Sequence, residues 1–145
     1  MLSSIKGSPQ LAGLRIGLMG GSFNPPHDGH VHISEVALRR LGLHQVWWLV
    51  TPQNPLKDTK DTADLIERIG QCRALISNPH IKVRNIEHRL GTTYSIDTIC
   101  ALQQRFPATF FCWLMGADNL QSFHKWRAWA AIMDRIPVAV IARPG

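Results

Sequence analysis

Between Arg15 and Ala142, short apolar runs alternate with segments whose apolar residues recur at helical spacing, and no hairpin signal joins one run to the next. Arg15-Ile16-Gly17-Leu18-Met19-Gly20 is an apolar run closed by glycine, the pattern of a strand buried on both faces of a parallel sheet. Gln45 to Thr51, Ile81 to Ile86, Thr109 to Met115 and Pro137 to Ala142 read as further strands. After the first strand, Ile33, Val36, Ala37 and Leu41 share one helical face, with Arg39 and Arg40 outside it and Gly42 where a left-handed C-terminal cap is expected. Leu65, Ile69, Cys72 and Ile76 repeat at helical spacing, and Asn78-Pro79 stops that helix. A third helix opens at Tyr94 or Ser95, carries Ile96, Ile99 and Leu102, and ends near Phe106-Pro107; a short fourth lies near Ala128 to Asp134. This strand-helix alternation predicts an α/β, doubly wound parallel sheet with helices on both faces. Ligands bind such sheets beyond the carboxyl ends of the strands, near the point where strand order reverses. Two polar clusters follow predicted strand ends, one after Met19 and one after Met115.

A chain of 145 residues suits one such domain, read as residues 14–145 behind a flexible N-terminal extension, Met1 to Gly13, that lacks the apolar run of a secretory signal. The formal charge of +6 calls for an anionic partner: a nucleotide, RNA or a membrane surface. The basic residues are scattered, without the run of a nucleic-acid-binding arm, so phosphorylated small molecules account for them and neither nucleic acid nor membrane is expected as partner. Cys72, Cys100 and Cys112 form no CxxC pair and lie in apolar stretches, which suits buried free thiols in a reducing cytoplasm. No segment is long and apolar enough to span a bilayer, and no internal repeat is present.

The first cluster, Gly20-Gly21-Ser22-Phe23-Asn24-Pro25-Pro26-His27-Asp28-Gly29-His30, carries the chemistry. Gly20 and Gly21 allow close approach of a ligand to the backbone, and Pro25-Pro26 stiffens the loop. His27 and His30, three residues apart at a helix start, can direct both rings to one phosphate, where free N–H groups and the helix dipole already favour an anion. A tight strand-to-helix turn with incidental histidines is the plainer reading. Zinc is disfavoured: His30 and His32 are two apart and diverge on a helix, and no nearby Cys completes a site.

This loop resembles the G-x-F-x-P-x-H-x-G-H signature of the HxGH nucleotidyltransferase superfamily, and further segments narrow the resemblance to the bacterial nicotinate-nucleotide adenylyltransferases. Thr51-Pro52-Gln53-Asn54-Pro55-Leu56-Lys57-Asp58 is similar to the loop after their second strand, with Pro55-Leu56-Lys57 where Pro-His-Lys is usual. Gly91-Thr92-Thr93-Tyr94-Ser95-Ile96-Asp97-Thr98 resembles their G-x-x-Y-[ST]-x-D-T segment. Met115-Gly116-Ala117-Asp118-Asn119-Leu120, followed by Phe123-His124-Lys125-Trp126, resembles their G-x-D-x-[LF]…F-x-x-W block. The resemblance covers about residues 14 to 143. Members continue to a Ser/Thr-rich phosphate-binding motif, whereas this chain stops at Gly145.

The resemblance implies a Rossmann-like nucleotidyltransferase fold, C-terminally shortened, that transfers the adenylyl group of ATP to nicotinate mononucleotide. His27 and His30 would be catalytic. Gly20, Gly21, Ser22, Phe23, His27, His30, Gly116 and Asp118 would bind ATP with Mg²⁺, without a protein metal site. Asn24, Lys57, Tyr94, Ser95 and Trp126 would bind nicotinate mononucleotide: Ser95 holding its carboxylate, Asp97 and Thr98 supporting that loop, Trp126 stacking on the pyridine. A surface Lys57, an ordinary N-cap at Ser95 and a core Trp126 are the plainer alternatives; Trp129 reads as core, and Trp47 and Trp48 as packing residues. At the level of function, the alternatives are an inactive or weakly active nucleotide-binding fragment, or an adenylyltransferase for another acceptor such as phosphopantetheine. A homo-oligomer is compatible with all of these.

Overall fold

The computed structural model describes residues 11–51, 59–86, 95–119, 123, 125 and 128–142. In chain order these form β1 (Arg15–Gly21), α1 (Asp28–Arg40), β2 (Gln45–Val50), α2 (Thr59–Leu75), β3 (Ile81–Arg84), α3 (Ser95–Arg105), β4 (Phe110–Gly116), a 3₁₀ turn (Ala117–Asn119), α4 (Trp129–Arg135) and β5 (Val138–Ile141). The strands make one five-stranded sheet in the order β3-β2-β1-β4-β5. Every neighbouring pair is parallel. The chain therefore winds outward from β1 to β3, crosses back, and winds outward again from β4 to β5. Strand order reverses between β1 and β4, whose carboxyl ends carry the two polar clusters.

The period-2 alternation of strand side chains divides the apolar residues between two cores. On one face Ile16, Leu18, Trp47, Leu49, Trp113 and Met115 pack under Ile96, Ile99 and Leu102 of α3 and Ile132 of α4. On the other, Met19, Val46, Trp48, Val50, Cys112 and Leu114 pack under Ile33 and Ala37 of α1 and Leu65, Ile69 and Cys72 of α2. The doubly wound α/β reading of the sequence is met. Each helix runs back antiparallel to the strands, so the N-termini of α1 and α3 lie at the sheet edge where the strands end.

Details depart from the sequence expectation for local reasons. Strand β3 stops at Arg84, and Ile86 beyond it turns into the α3-side core. On α1 the fully buried positions are Ile33, Ser34 and Ala37, while Val36 and Leu41 are half-buried. Gly42 has φ +61°, the left-handed geometry expected after a helix. Trp129 is not core: it is 42 % exposed. Its spacing puts it on the Ile132 side, but the seven-residue α4 buries only Ile132, and the Trp129 ring stands edge-on to Phe123 at 6.4 Å. At the chain's start, Leu11 packs against the α3-side core, its carbonyl accepts from Thr109 Oγ1 at 2.7 Å, and Gly13 N–H donates to the Ala108 carbonyl at 2.8 Å.

Cys72 and Cys112 are buried and unpaired, and Cys100 is half-buried. Burial pushes the Cys72 and Cys112 thiols up from an ordinary 9.0 to about 11, against the weaker pull of Arg68 and Arg73 on the first and of Arg15 on the second. A thiol that holds its proton more tightly when folded favours the fold below its unfolded pKa and loses that contribution as pH rises through the folded value. The urea midpoint should therefore fall between about pH 9 and pH 11, and fall less in a Cys72→Ala/Cys112→Ala variant. Equal slopes for the two proteins would contradict this. Among the described residues, no helix is long and apolar enough to cross a membrane.

Candidate nucleotide-binding active site

The loop between β1 and α1 is built around two histidines that cap each other's helix turn. His27 is the N-cap residue of α1, in extended conformation. Its Nδ1 accepts from Gly29 N–H at 3.1 Å, and the Nδ1 of His30 accepts from His27 N–H, also at 3.1 Å. Two of the donors that a helix start leaves without partners are thereby satisfied by imidazole acceptors, in the manner of a capping box. An Nδ1 that accepts a hydrogen bond carries no proton, which leaves Nε2 as the donor nitrogen of each ring. The rings stack with centroids 3.9 Å apart and planes inclined by 25°, at a helix N-terminus that favours an anion. Backbone caps thus fix the orientation of both rings.

The rings are held from below by aromatic residues. Phe23 is buried, with φ +50°, a left-handed conformation that costs a non-glycine residue on the order of 1 kcal/mol. It stacks on Trp48 of β2 with centroids 4.9 Å apart and meets the His30 ring at 4.7 Å. Trp48 also stands edge-on to His30 at 5.7 Å. Its Nε1–H donates to Ser34 Oγ at 2.8 Å, and Ser34 Oγ–H donates to the His30 carbonyl at 2.8 Å. This buried relay fastens the first turn of α1 to the sheet. Trp48 is thus more than a packing residue, while Trp47, on the other face, stacks edge-on with Phe106 and Phe111. Ser34→Ala would strand the Trp48 indole N–H in the core and is expected to cost about 1–3 kcal/mol, read as a lower urea midpoint; a midpoint within experimental error of wild type would refute the relay.

Around the loop, Gly20 owes its identity to the core: a Cβ there would lie 2.8 Å from Trp113 Cη2. Gly21 has room for a Cβ, with Phe23 at 3.5 Å, and its carbonyl accepts from Thr51 N–H at 2.9 Å, joining the ends of β1 and β2. Ser22 and Asn24 are exposed beside the histidines in sequence. At the end of β4, a Cβ on Gly116 would lie 2.7 Å from Asp118 Oδ1 and 3.1 Å from Ile33 Cδ1. The carboxylate of Asp118 thus folds over Gly116, and the second polar cluster sits against α1 one turn beyond His30. Ser95, half-buried, opens α3 on the opposite face of the sheet at the same edge. Lys57, Tyr94 and Trp126 lie outside the described residues.

Arg68 escaped the sequence reading. It is 2 % exposed on α2, and its Nη1 donates to the carbonyls of Ser22 at 2.7 Å and Thr51 at 2.9 Å. A signal existed: Leu65, Arg68, Ile69 and Cys72 occupy i, i+3, i+4 and i+7 of one apolar stripe, an unusual place for a cation.

A loop of this construction, at the switch point of a 3-2-1-4-5 sheet, invites comparison with known proteins. The pattern of the cytidylyltransferase-like family matches residues 18–144. A relative from Agrobacterium fabrum (strain C58), named "Probable nicotinate-nucleotide adenylyltransferase", is 52 % identical over 130 residues, 90 % of this chain and 70 % of its own. A relative of the same name from Methylorubrum extorquens (strain PA1) is 55 % identical over 132 residues, 91 % of this chain and 71 % of its own. Among solved structures, a Plasmodium falciparum nicotinic acid mononucleotide adenylyltransferase complexed with NaAD superposes with TM-score 0.67 at 15 % identity, covering 91 % of this chain and 76 % of that one. That likeness shows a shared fold. With the fold, the switch-point loop and the relatives at half identity in agreement, the chain belongs to the cytidylyltransferase-like nucleotidyltransferases and, among them, to the nicotinate-nucleotide adenylyltransferase family.

Proposed function

We propose that the chain transfers the adenylyl group of ATP to nicotinate mononucleotide, giving nicotinate adenine dinucleotide and pyrophosphate in the biosynthesis of NAD. The observation that carries this reading is the stacked histidine pair, capped by its own backbone at the N-terminus of α1. The names of the relatives support the choice of acceptor. An oxygen of the acceptor's 5′-phosphate attacks the α-phosphorus of ATP, and the bond from that phosphorus to the bridging oxygen breaks as pyrophosphate leaves. The attacking oxygen is already anionic near neutral pH, so no strong general base is required. Catalysis rests on alignment and on stabilising the charge that builds on the α-phosphoryl oxygens. His27 and His30 donate to those oxygens, and their donors are oriented before the substrate arrives because Nδ1 of each ring is occupied by the backbone.

Gly20 to Phe23, Gly116 and Asp118 border ATP in this reading. Asn24, Lys57, Tyr94, Ser95 and Trp126 hold the acceptor, Ser95 through its place at the start of α3. Mg²⁺ would be carried by the triphosphate and water. That ion would neutralise charge on the leaving pyrophosphate. Unpaired thiols suit a reducing compartment, the cytoplasm. The test is an acceptor panel with ATP, following pyrophosphate release: nicotinate mononucleotide should be adenylylated and phosphopantetheine should not. Transfer to phosphopantetheine alone, or release with neither acceptor, would overturn the reading.

A further inference from the structure

Arg68 stands where an apolar residue would serve packing better. A buried cation loses its hydration, and a well-packed hydrophobic side chain in the same space is often as stable or more so. Among the described residues its one carboxylate partner, Asp64, is 48 % exposed and meets Nε at 3.1 Å. The remaining interactions go to two backbone carbonyls from different parts of the chain. Ser22 directly follows β1, and Thr51 directly follows β2. Among the described residues the last sheet bond between these strands is Thr51 N–H to the Gly21 carbonyl. Just past that bond Nη1 of Arg68 holds both chains, at 2.7 Å and 2.9 Å.

A single guanidinium nitrogen has two N–H bonds fixed in one plane. Donating one to each carbonyl sets the separation and the orientation of the two peptide groups together. A lysine amine reaches similar distances, but its hydrogens rotate and impose no plane. The Ser22 peptide leads at once into Phe23, whose left-handed conformation turns the loop toward the histidines. Arg68 thus grips the loop at the last residue before the turn that places His27 and His30. At 2 % exposure it offers almost no surface to a ligand.

We propose that Arg68 is a positioning residue of the nucleotide site: by bridging Ser22 and Thr51 it sets where the β1–α1 loop presents its two imidazoles relative to the end of β2. This rests on the adenylyl-transfer reading for its kinetic consequence. A loop displaced by about 1 Å costs on the order of 100-fold in rate.

The experiment compares wild type, Arg68→Met, Arg68→Lys and Ile69→Ala, all as the full chain and at a temperature where circular dichroism shows each folded. Ile69 is buried on the same helix and has no polar contact to either loop, so it serves as the control for lost stability. With ATP and nicotinate mononucleotide, Arg68→Met should lose about 100-fold in kcat with a smaller change in KM, and Arg68→Lys should recover part of the loss. Ile69→Ala should stay within about threefold of wild type at a comparable drop in Tm. Wild-type kinetics in both Arg68 variants would overturn the proposal, as would an equal kinetic loss in Ile69→Ala. Titration with a non-hydrolysable ATP analogue separates the two readings. If wild type transfers nothing to nicotinate mononucleotide, the functional reading fails. The positioning role then still requires Arg68→Met to weaken analogue binding at least tenfold more than Ile69→Ala, and equal weakening ends it.

Discussion

His27→Asn is expected to lower the turnover of adenylyl transfer by about 10²–10³-fold, near the loss found when one preorganised donor is removed from a developing oxyanion, while stability stays within about 0.5 kcal/mol of wild type. The two effects separate because His27 has two jobs on two nitrogens. Nδ1 caps Gly29 N–H, and in the proposed mechanism Nε2 donates to the α-phosphoryl oxygens. Asparagine is among the best N-cap residues and keeps an oxygen for the cap, but it cannot present a donor where Nε2 stood. His27→Ala loses both and should add a stability cost of about 1 kcal/mol to the same kinetic loss. Steady-state rates beside urea unfolding decide the matter, and wild-type turnover in His27→Asn would remove the ring from the mechanism. His30 is the less discriminating target. Its ring also touches Phe23 and Trp48, so His30→Ala perturbs the aromatic floor together with the donor.

The largest effect on stability is expected from Trp48→Ala, about 3–5 kcal/mol, the range for deleting a large aromatic from a core. Trp48 is fully buried, stacks on Phe23 and donates to Ser34. The truncation opens a cavity under the loop and releases the stacking that helps hold Phe23 in its left-handed conformation. Turnover should therefore fall even at temperatures where the variant is folded. Trp48→Phe keeps most of the ring and loses the indole N–H, so it should cost less and retain more activity. Chemical denaturation and single-turnover rates on both variants test this. A Trp48→Ala protein with wild-type turnover would show that the aromatic floor does not orient the histidines.

Much of the fold was legible because its signals are local. Apolar runs ending in glycine, helical spacing at Leu65, Ile69 and Cys72, and the absence of hairpin turns are properties of short windows, and a parallel sheet follows from their order. The loop from Gly20 to His30 was legible for the same reason: residues that act together are adjacent in sequence. Trp129 shows the limit, since periodicity reports which side of a helix is apolar but not whether the sheet extends beneath it. Arg68 shows a second limit. Its place in an apolar stripe signals that a cation is buried, but its partners are 46 and 17 positions away.

The order of strands and helices along the chain and the choice of the Gly20 to His30 loop as candidate site were thus readable in the sequence alone, since each depends on neighbours within a dozen residues; the switch point between β1 and β4 was decided by strand pairing. The tertiary structure decided how that loop is held. Whether a backbone N–H reaches Nδ1, which indole lies beneath Phe23, and where one guanidinium finds its carbonyls depend on distances between segments that only packing brings together. The backbone caps on both histidines, the Trp48–Ser34 relay and the Arg68 bridge therefore became visible only in the folded chain.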